Sequence, residues 1–326
     1  MSCLGLLFHA RVIGPGIVLG VAAAGLYGLL SVSLVMTYRV SRTIGFVHGG
    51  LALFGTFFYW WLTSPRAQIT GTTIAGEVTG SARMGQIPAA VLVTLLGAAI
   101  GVIYGFTVTG RLANWPRVRI TTYSLGWLLG LGALIITWFN EQVQGASSLP
   151  LRSLFGHRTY RLFGAIVTIH QFVTVALLAT LMVVLTLVLL RTRVGIYIRA
   201  IADDPDAGRW VGIPLNWVGT GVYAFAGGLS AFAGVLLAST VGISVLMVLV
   251  VFLRALTMSV LGGFTSLPLA LGGCLLLGIG ETTLMADLFG PMGPGTREIV
   301  IMTTLFALVF LINRVRRVRL IETTGL

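Results

Sequence analysis

No lysine occurs anywhere in the 326 residues, so every one of the 21 lysine-or-arginine positions is an arginine. That absence excludes a Walker-type G-x-x-x-x-G-K-[ST] loop, hence a conventional nucleotide site on this chain. It also excludes Schiff-base chemistry. Cysteine is nearly as scarce: Cys3 sits near the N-terminus and Cys274 inside an apolar run. Neither a disulfide framework nor a metal cluster is expected from that pair. Charged residues make up only 9% of the chain, and nine of them are acidic. The sequence has no Ser/His/Asp arrangement, no CxxC and no HExxH. One acidic cluster, Asp203, Asp204 and Asp206, invites comparison with enzymes that hold Mg²⁺ against a diphosphate. That chemistry needs a second acidic cluster facing the first, and the remaining acids are singletons. The chain therefore reads as a non-enzyme with no cofactor or metal of its own.

What is present is apolar length. Hydrophobic residues make up 56% of the sequence and the mean hydropathy is +0.99, which rules out a soluble globular protein. Runs of about 20 apolar residues recur, each long enough to cross a bilayer as a helix. Spans are expected near 14–37, 44–62, 87–108, 121–139, 165–190, 216–238, 245–263, 267–284 and 298–313. The fold class is thus all-α, a polytopic membrane bundle of about nine helices (eight to ten), forming one domain over 1–326. The N-terminus carries no clear cleavable signal, because Arg11 follows the first apolar patch without a small-residue cleavage site.

The arginines set an orientation. Placing the loop 191–214 inside puts 13 arginines on the cytoplasmic side and seven outside, with Arg254 left within a span. This predicts an outside N-terminus and a cytoplasmic C-terminus. Arginines at helix ends, rather than along one soluble face, are also no nucleic-acid signature. Small residues recur every fourth position at Gly16, Gly20, Ala24 and Gly28, at Gly97, Gly101 and Gly105, and at Ala226, Ser230, Gly234 and Ala238. Such stripes let helix backbones approach closely in lipid, and they read as bundle packing. The outer loops 63–86 and 140–164 are too small to be folded domains.

The loop 191–214 is the main polar interruption of the second half, with four arginines and three aspartates. Asp204 is placed to N-cap a helix starting at Pro205. Gly212 closes it in the left-handed conformation, and Pro214 prevents its continuing. Ala207, Trp210 and Val211 share one face, away from Asp206 and Arg209. Two turns are too short to be stable alone, so this helix needs something to dock against.

Within the spans, His48 lies between glycines in GFVHGG, as a satisfied histidine near the interface or as a residue facing a cavity. Placing Arg254 near mid-span costs about 2.5–3.5 kcal/mol on insertion scales. Snorkelling to the inner surface is its expected escape, and the alternative is to face the bundle. Glu281 reads either as a cap or as an ion partner, and His170 as a packed histidine. Mid-span acids are too few for a transporter driven by protons or sodium.

Three stretches together resemble the permease subunits of branched-chain amino-acid ABC importers. In YRVSRTIGFVHG (38–49), Phe46, His48 and Gly49 match the family, while Gly45 and Gly50 depart from it. In GIYIRAIADDPDAGRWVGI (195–213), Arg199, Ala200, Gly212 and Ile213 match, with Gly208 where alanine is usual. In LRALTMSVLGGFTSLPLALGGCLLLGIGE (253–281), the matches are Arg254, Val260, Leu261, Gly262, Gly263, Ser266, Pro268, Gly278 and Glu281. Thr265 and Leu269 replace expected glycines there. The resemblance runs from about residue 20 to 319 and is similar in order and interval to the family.

The resemblance implies a bacterial inner-membrane permease for branched-chain or related amino acids, with urea, amides or a pentose as alternatives of the same architecture. It implies a second permease subunit, an extracytoplasmic solute-binding protein and cytoplasmic ATPase subunits that bind the ATP. Arg199, Asp203, Asp204, Asp206, Arg209, Trp210, Val211 and Gly212 would then belong to the element that couples to the ATPase. Phe46, His48, Gly49, Arg254, Gly262, Gly263, Ser266 and Glu281 would be candidates for the pathway.

Overall fold

The apolar segments long enough to span that the structure describes are helical over most of their length, as backbone polar groups in lipid require. The computed structural model describes residues 3–64, 84–139, 159–162, 165–204, 208, 210–241, 244–264, 266–288, 303, 307 and 310. Among these, nine α-helices occur. They are α1 (Cys3–Ser41), α2 (Val47–Thr63), α3 (Gln86–Phe106), α4 (Arg117–Trp138), α5 (Ile169–Arg191), α6 (Arg193–Asp203), α7 (Leu215–Val241), α8 (Val245–Leu261) and α9 (Leu267–Leu288). A π-turn, Thr107–Arg111, extends α3. Five helices are long and apolar enough to cross a membrane: α1, α3 with its π-turn, α4, α5 and α7. The shorter apolar helices α2, α8 and α9 fill the other expected spans. The expected span 298–313 lies almost wholly outside the described residues.

Two elements differ from expectation. A short antiparallel pair is present, with β1 (Thr159–Leu162) at the end of the expected outer loop and β2 (Ala165–Thr168) at the start of the expected fifth span. Helix α5 begins only at Ile169, where the Gln171 side chain accepts the Thr168 backbone N–H at 3.1 Å and so caps the turn. The second difference is α6, which precedes the short helix foreseen in the same loop. Thr192 caps it by accepting the Gly195 N–H at 3.2 Å, and Gly195, Ile198 and Ile201 are its buried face.

Helices α1 and α7 form the centre, about 72% and 78% buried along their apolar stretches against 22–33% for α3, α4 and α5. The outer helices turn Ile87, Val91, Leu95, Leu129, Val183 and Leu187 outward, as lipid-facing surfaces do. The small-residue stripes sit at the closest helix crossings. A Cβ built on Gly20 would lie 2.6 Å from the Gly278 carbonyl oxygen of α9. One built on Gly227 of α7 would lie 2.7 Å from the Gly97 carbonyl oxygen and 2.9 Å from the Gly101 Cα, both on α3. Backbone meets backbone at these points, and only glycine permits it.

Candidate functional site

Two regions gather the polar residues: a buried seam within the bundle, and the loop that runs from α6 to α7. The seam begins at the turn between α1 and α2. Ser124 of α4 holds this turn, accepting the Phe46 N–H at 3.3 Å and donating to the Ile44 carbonyl at 3.0 Å. Fully buried, His48 then meets a hydroxyl at each ring nitrogen, Thr37 Oγ1 at Nε2 (3.1 Å) and Ser230 Oγ at Nδ1 (3.0 Å). The histidine thereby ties α2 to α1 and α7. Gly49 follows it because a Cβ there would press to 2.9 Å against the Phe252 ring of α8.

Arg254 does not snorkel. Its guanidinium lies inside the bundle, with Nη1 2.9 Å from Glu281 Oε1 and side-chain exposures of 6% and 19% for the two partners. Tyr27 of α1 completes the group, accepting from Arg254 at 2.6 Å and donating to Glu281 Oε2 at 3.0 Å. The guanidinium also stands 5.6 Å from the Tyr27 ring centroid. About one turn further along α1, Ser31 and Ser259 share a 2.8 Å hydrogen bond. An arginine buried in a helix bundle gains more from an ion partner and a hydroxyl acceptor than from stretching to the interface, which explains the departure from the snorkelling expectation. Glu281 is thus an ion partner rather than a cap.

Gly262, Gly263 and Ser266 occupy the turn between α8 and α9. Gly263 and Phe264 both have left-handed φ, 66° and 55°. The Phe264 ring stacks on Tyr38 at 4.5 Å. Ser266 caps α9, its hydroxyl accepting the Leu269 N–H at 3.4 Å. His170 is packed as expected, with Nε2 3.1 Å from the Leu236 carbonyl and 3.0 Å from Ser239 Oγ.

In the loop, Asp204 ends α6 in extended conformation, and its carbonyl accepts the Gly208 N–H at 3.0 Å, the first bond of a new helical turn. Gly212 has φ +81°, and the Ile213 N–H reaches back to the Gly208 carbonyl at 3.0 Å. That six-to-one bond across a left-handed glycine is a Schellman closure, as the sequence foresaw. Gly208 is buried, whereas Trp210 is 90% exposed and Val211 81% exposed. Asp203 and Asp204 are exposed as well. Asp206 and Arg209 lie outside the described residues. Arg199 bonds within its own helix, Nε to the Gly195 carbonyl at 3.4 Å.

Residues 16–315 match the family described as the permease component of the branched-chain amino acid transport system. The chain belongs to that family. It is 26% identical over 273 residues to the high-affinity branched-chain amino acid transport system permease protein BraD of Pseudomonas aeruginosa, covering 83% of this chain and 85% of the relative. It is 27% identical over 277 residues to the corresponding protein LivH of Escherichia coli, covering 82% and 85%. A solved structure, PsaBC from Streptococcus pneumoniae in complex with Fab, aligns over 93% of this chain and 90% of its own at 16% identity and TM-score 0.38. That likeness is too slight to carry an argument. The protein is a multi-pass transport permease, not an enzyme.

Sequence reasoning did not anticipate several members of this permease's polar framework, Tyr27 and Arg42 among them. Tyr27 carries no local mark, since its partners are more than 220 positions away. Arg42 was counted only as a cytoplasmic charge. It takes a left-handed φ of 53°, and its guanidinium caps α6 by donating to the Ala202 and Asp203 carbonyls. The helix it caps was legible in principle from Val194, Ile198 and Ile201, which recur at i, i+4 and i+7.

Gly208 offers a direct test of local stability. A Cβ there would have no neighbour nearer than 3.9 Å, so alanine fits. Helical glycine costs about 1 kcal/mol relative to alanine. Gly208→Ala should therefore stabilise the short helix, read as slower hydrogen exchange at the Ile213 amide.

Proposed function

We propose that this permease forms the translocation pathway of an ABC importer for branched-chain or related amino acids, driven by ATPase subunits on separate chains. The lack of any lysine supports a separate engine, because a phosphate-binding Walker loop needs one. The observation that carries the reading is the helical turn that contains Gly208 and Trp210. It is closed by Gly212, yet it presents an almost bare tryptophan and valine to the surroundings. A large aromatic in that state suits an anchor for a pocket on a partner. Eight arginines gather at the same end of the bundle: Arg39, Arg42, Arg111, Arg117, Arg119, Arg191, Arg193 and Arg199. By the positive-inside rule this end is cytoplasmic, with the N-terminus outside and the C-terminus inside.

In this arrangement Trp210 and Val211 seat in a groove of the ATPase, and Asp203, Asp204, Asp206 and Arg209 set the charge complementarity around them. A second permease subunit completes the pathway, and a solute-binding protein delivers cargo from outside. Phe46, His48, Gly49, Arg254, Gly262, Gly263, Ser266 and Glu281 then line or brace the moving part, and rocking of the bundle alternates access.

The test is reconstitution with the ATPase and binding protein in vesicles, using radiolabelled leucine. Trp210→Ala is expected to weaken ATPase association by about 2 kcal/mol or more, a loss of roughly thirtyfold. Uptake should fall in proportion while the variant's thermal unfolding stays at the wild-type temperature. Wild-type uptake by the variant would remove this helix from the coupling role.

A further inference from the structure

The arginine-rich end contains a cleft of about 330 Å³ between α1, the π-turn, α4, α6 and α7. Its polar lining includes Ser41, Arg42, Thr109, Asn114, Trp115 and Arg117, and among the described residues no acidic side chain lines it. We propose that this cleft binds the phosphate-bearing headgroup of an anionic phospholipid from the adjoining leaflet.

Three features select that chemistry. Arg42 donates through Nη2 to the end of α6, and a guanidinium has five N–H donors, so further donors remain to serve an oxyanion. Arg117 opens α4, whose N-terminus has no side-chain cap, and the positive end of the helix dipole adds to the arginine. Charge alone would fit free phosphate equally well. The surroundings favour a lipid. Trp115 is half exposed at the mouth, with the Arg119 guanidinium 6.0 Å from its ring, the kind of pair found at membrane–water boundaries. On the helices that the Thr107–Trp115 segment joins, Ile103 and Phe106 near the end of α3 and Val118 at the start of α4 are exposed apolar side chains, the kind of surface along which acyl chains can lie. Basic pockets between membrane helices take lipid headgroups on these terms. The inference concerns the leaflet and stands whichever solute the permease carries.

Native mass spectrometry of the full chain, released from mixed micelles, tests it. Phosphatidylglycerol should be retained in preference to phosphatidylcholine. Arg117→Gln should lower the apparent affinity for phosphatidylglycerol about fivefold, the effect of one interfacial arginine. Arg117→Lys should restore most of it, and since Arg117 is exposed, neither change should alter thermal unfolding. Glycerol 3-phosphate, which lacks acyl chains, should not displace the lipid at millimolar concentration. Equal retention of both lipids, an unchanged affinity in Arg117→Gln, or displacement by glycerol 3-phosphate would each overturn the proposal.

Discussion

Glu281→Gln alone should destabilise the bundle by about 3–5 kcal/mol, the range for removing one partner of a buried ion pair. The loss follows from what stays behind. Arg254 keeps its charge and is 5% exposed as a residue, with the neutral Tyr27 hydroxyl 2.6 Å away. Arg254→Met leaves Glu281 in the same position from the other side. The double variant Arg254→Met/Glu281→Gln removes both charges at similar volume, and such replacements of buried pairs are often neutral. It should recover most of the stability lost in either single change. Tyr27→Phe deletes one hydroxyl that serves both partners and should cost about 1.5–3 kcal/mol. Thermal unfolding of the four variants in detergent, followed by size-exclusion fluorescence, measures the series. A double variant as unstable as the singles would show that the pair itself, and not relief of an isolated charge, holds α1, α8 and α9 together.

Gly227→Val is the second change with a large expected effect. The added carbons enter a crossing where the Gly97 carbonyl oxygen and Gly101 Cα stand at 2.7 and 2.9 Å from the first of them. Neither is the tip of a flexible side chain, so α3 and α7 must separate along their length. Overpacking on this scale costs about 3 kcal/mol, and the dispersion contacts along the seam are lost with it. The folded yield should collapse. Gly221, six residues earlier on the same helix, has open space at its Cβ. Gly221→Ala should fold normally and gain slightly from helix propensity. Similar yields for both variants would contradict the close crossing.

The closure of the turn in the polar loop was legible because its determinants are local: a left-handed glycine at 212 and a proline two residues after it. The spans were legible because lipid allows apolar segments of that length few alternatives. Small-residue stripes marked helix faces correctly, yet did not say which helix each face meets. The seam was only half legible. His48, Arg254 and Glu281 stand out as polar residues in apolar runs, while Tyr27, Thr37, Ser230 and Ser259 look ordinary in sequence. Their importance comes from chain segments far apart meeting in space, and a single sequence does not encode that separately from the fold. The β1–β2 pair was missed for a different reason. Ala165–Thr168 is apolar enough to extend a span, and the stop signal, Thr168 with Gln171 three residues on, was available but unread.

The turn after α8 has a consequence for the surrounding lipid. Seventeen residues, Val245–Leu261, rise about 26 Å along a helix axis, several ångströms short of the roughly 30 Å of hydrocarbon in an average bilayer. The Gly262–Ser266 bend therefore lies at or below the headgroup level on one side. Hydrophobic mismatch of this size draws the leaflet inward around α8. The membrane beside this permease should be thinner there than around α3, α4 and α5.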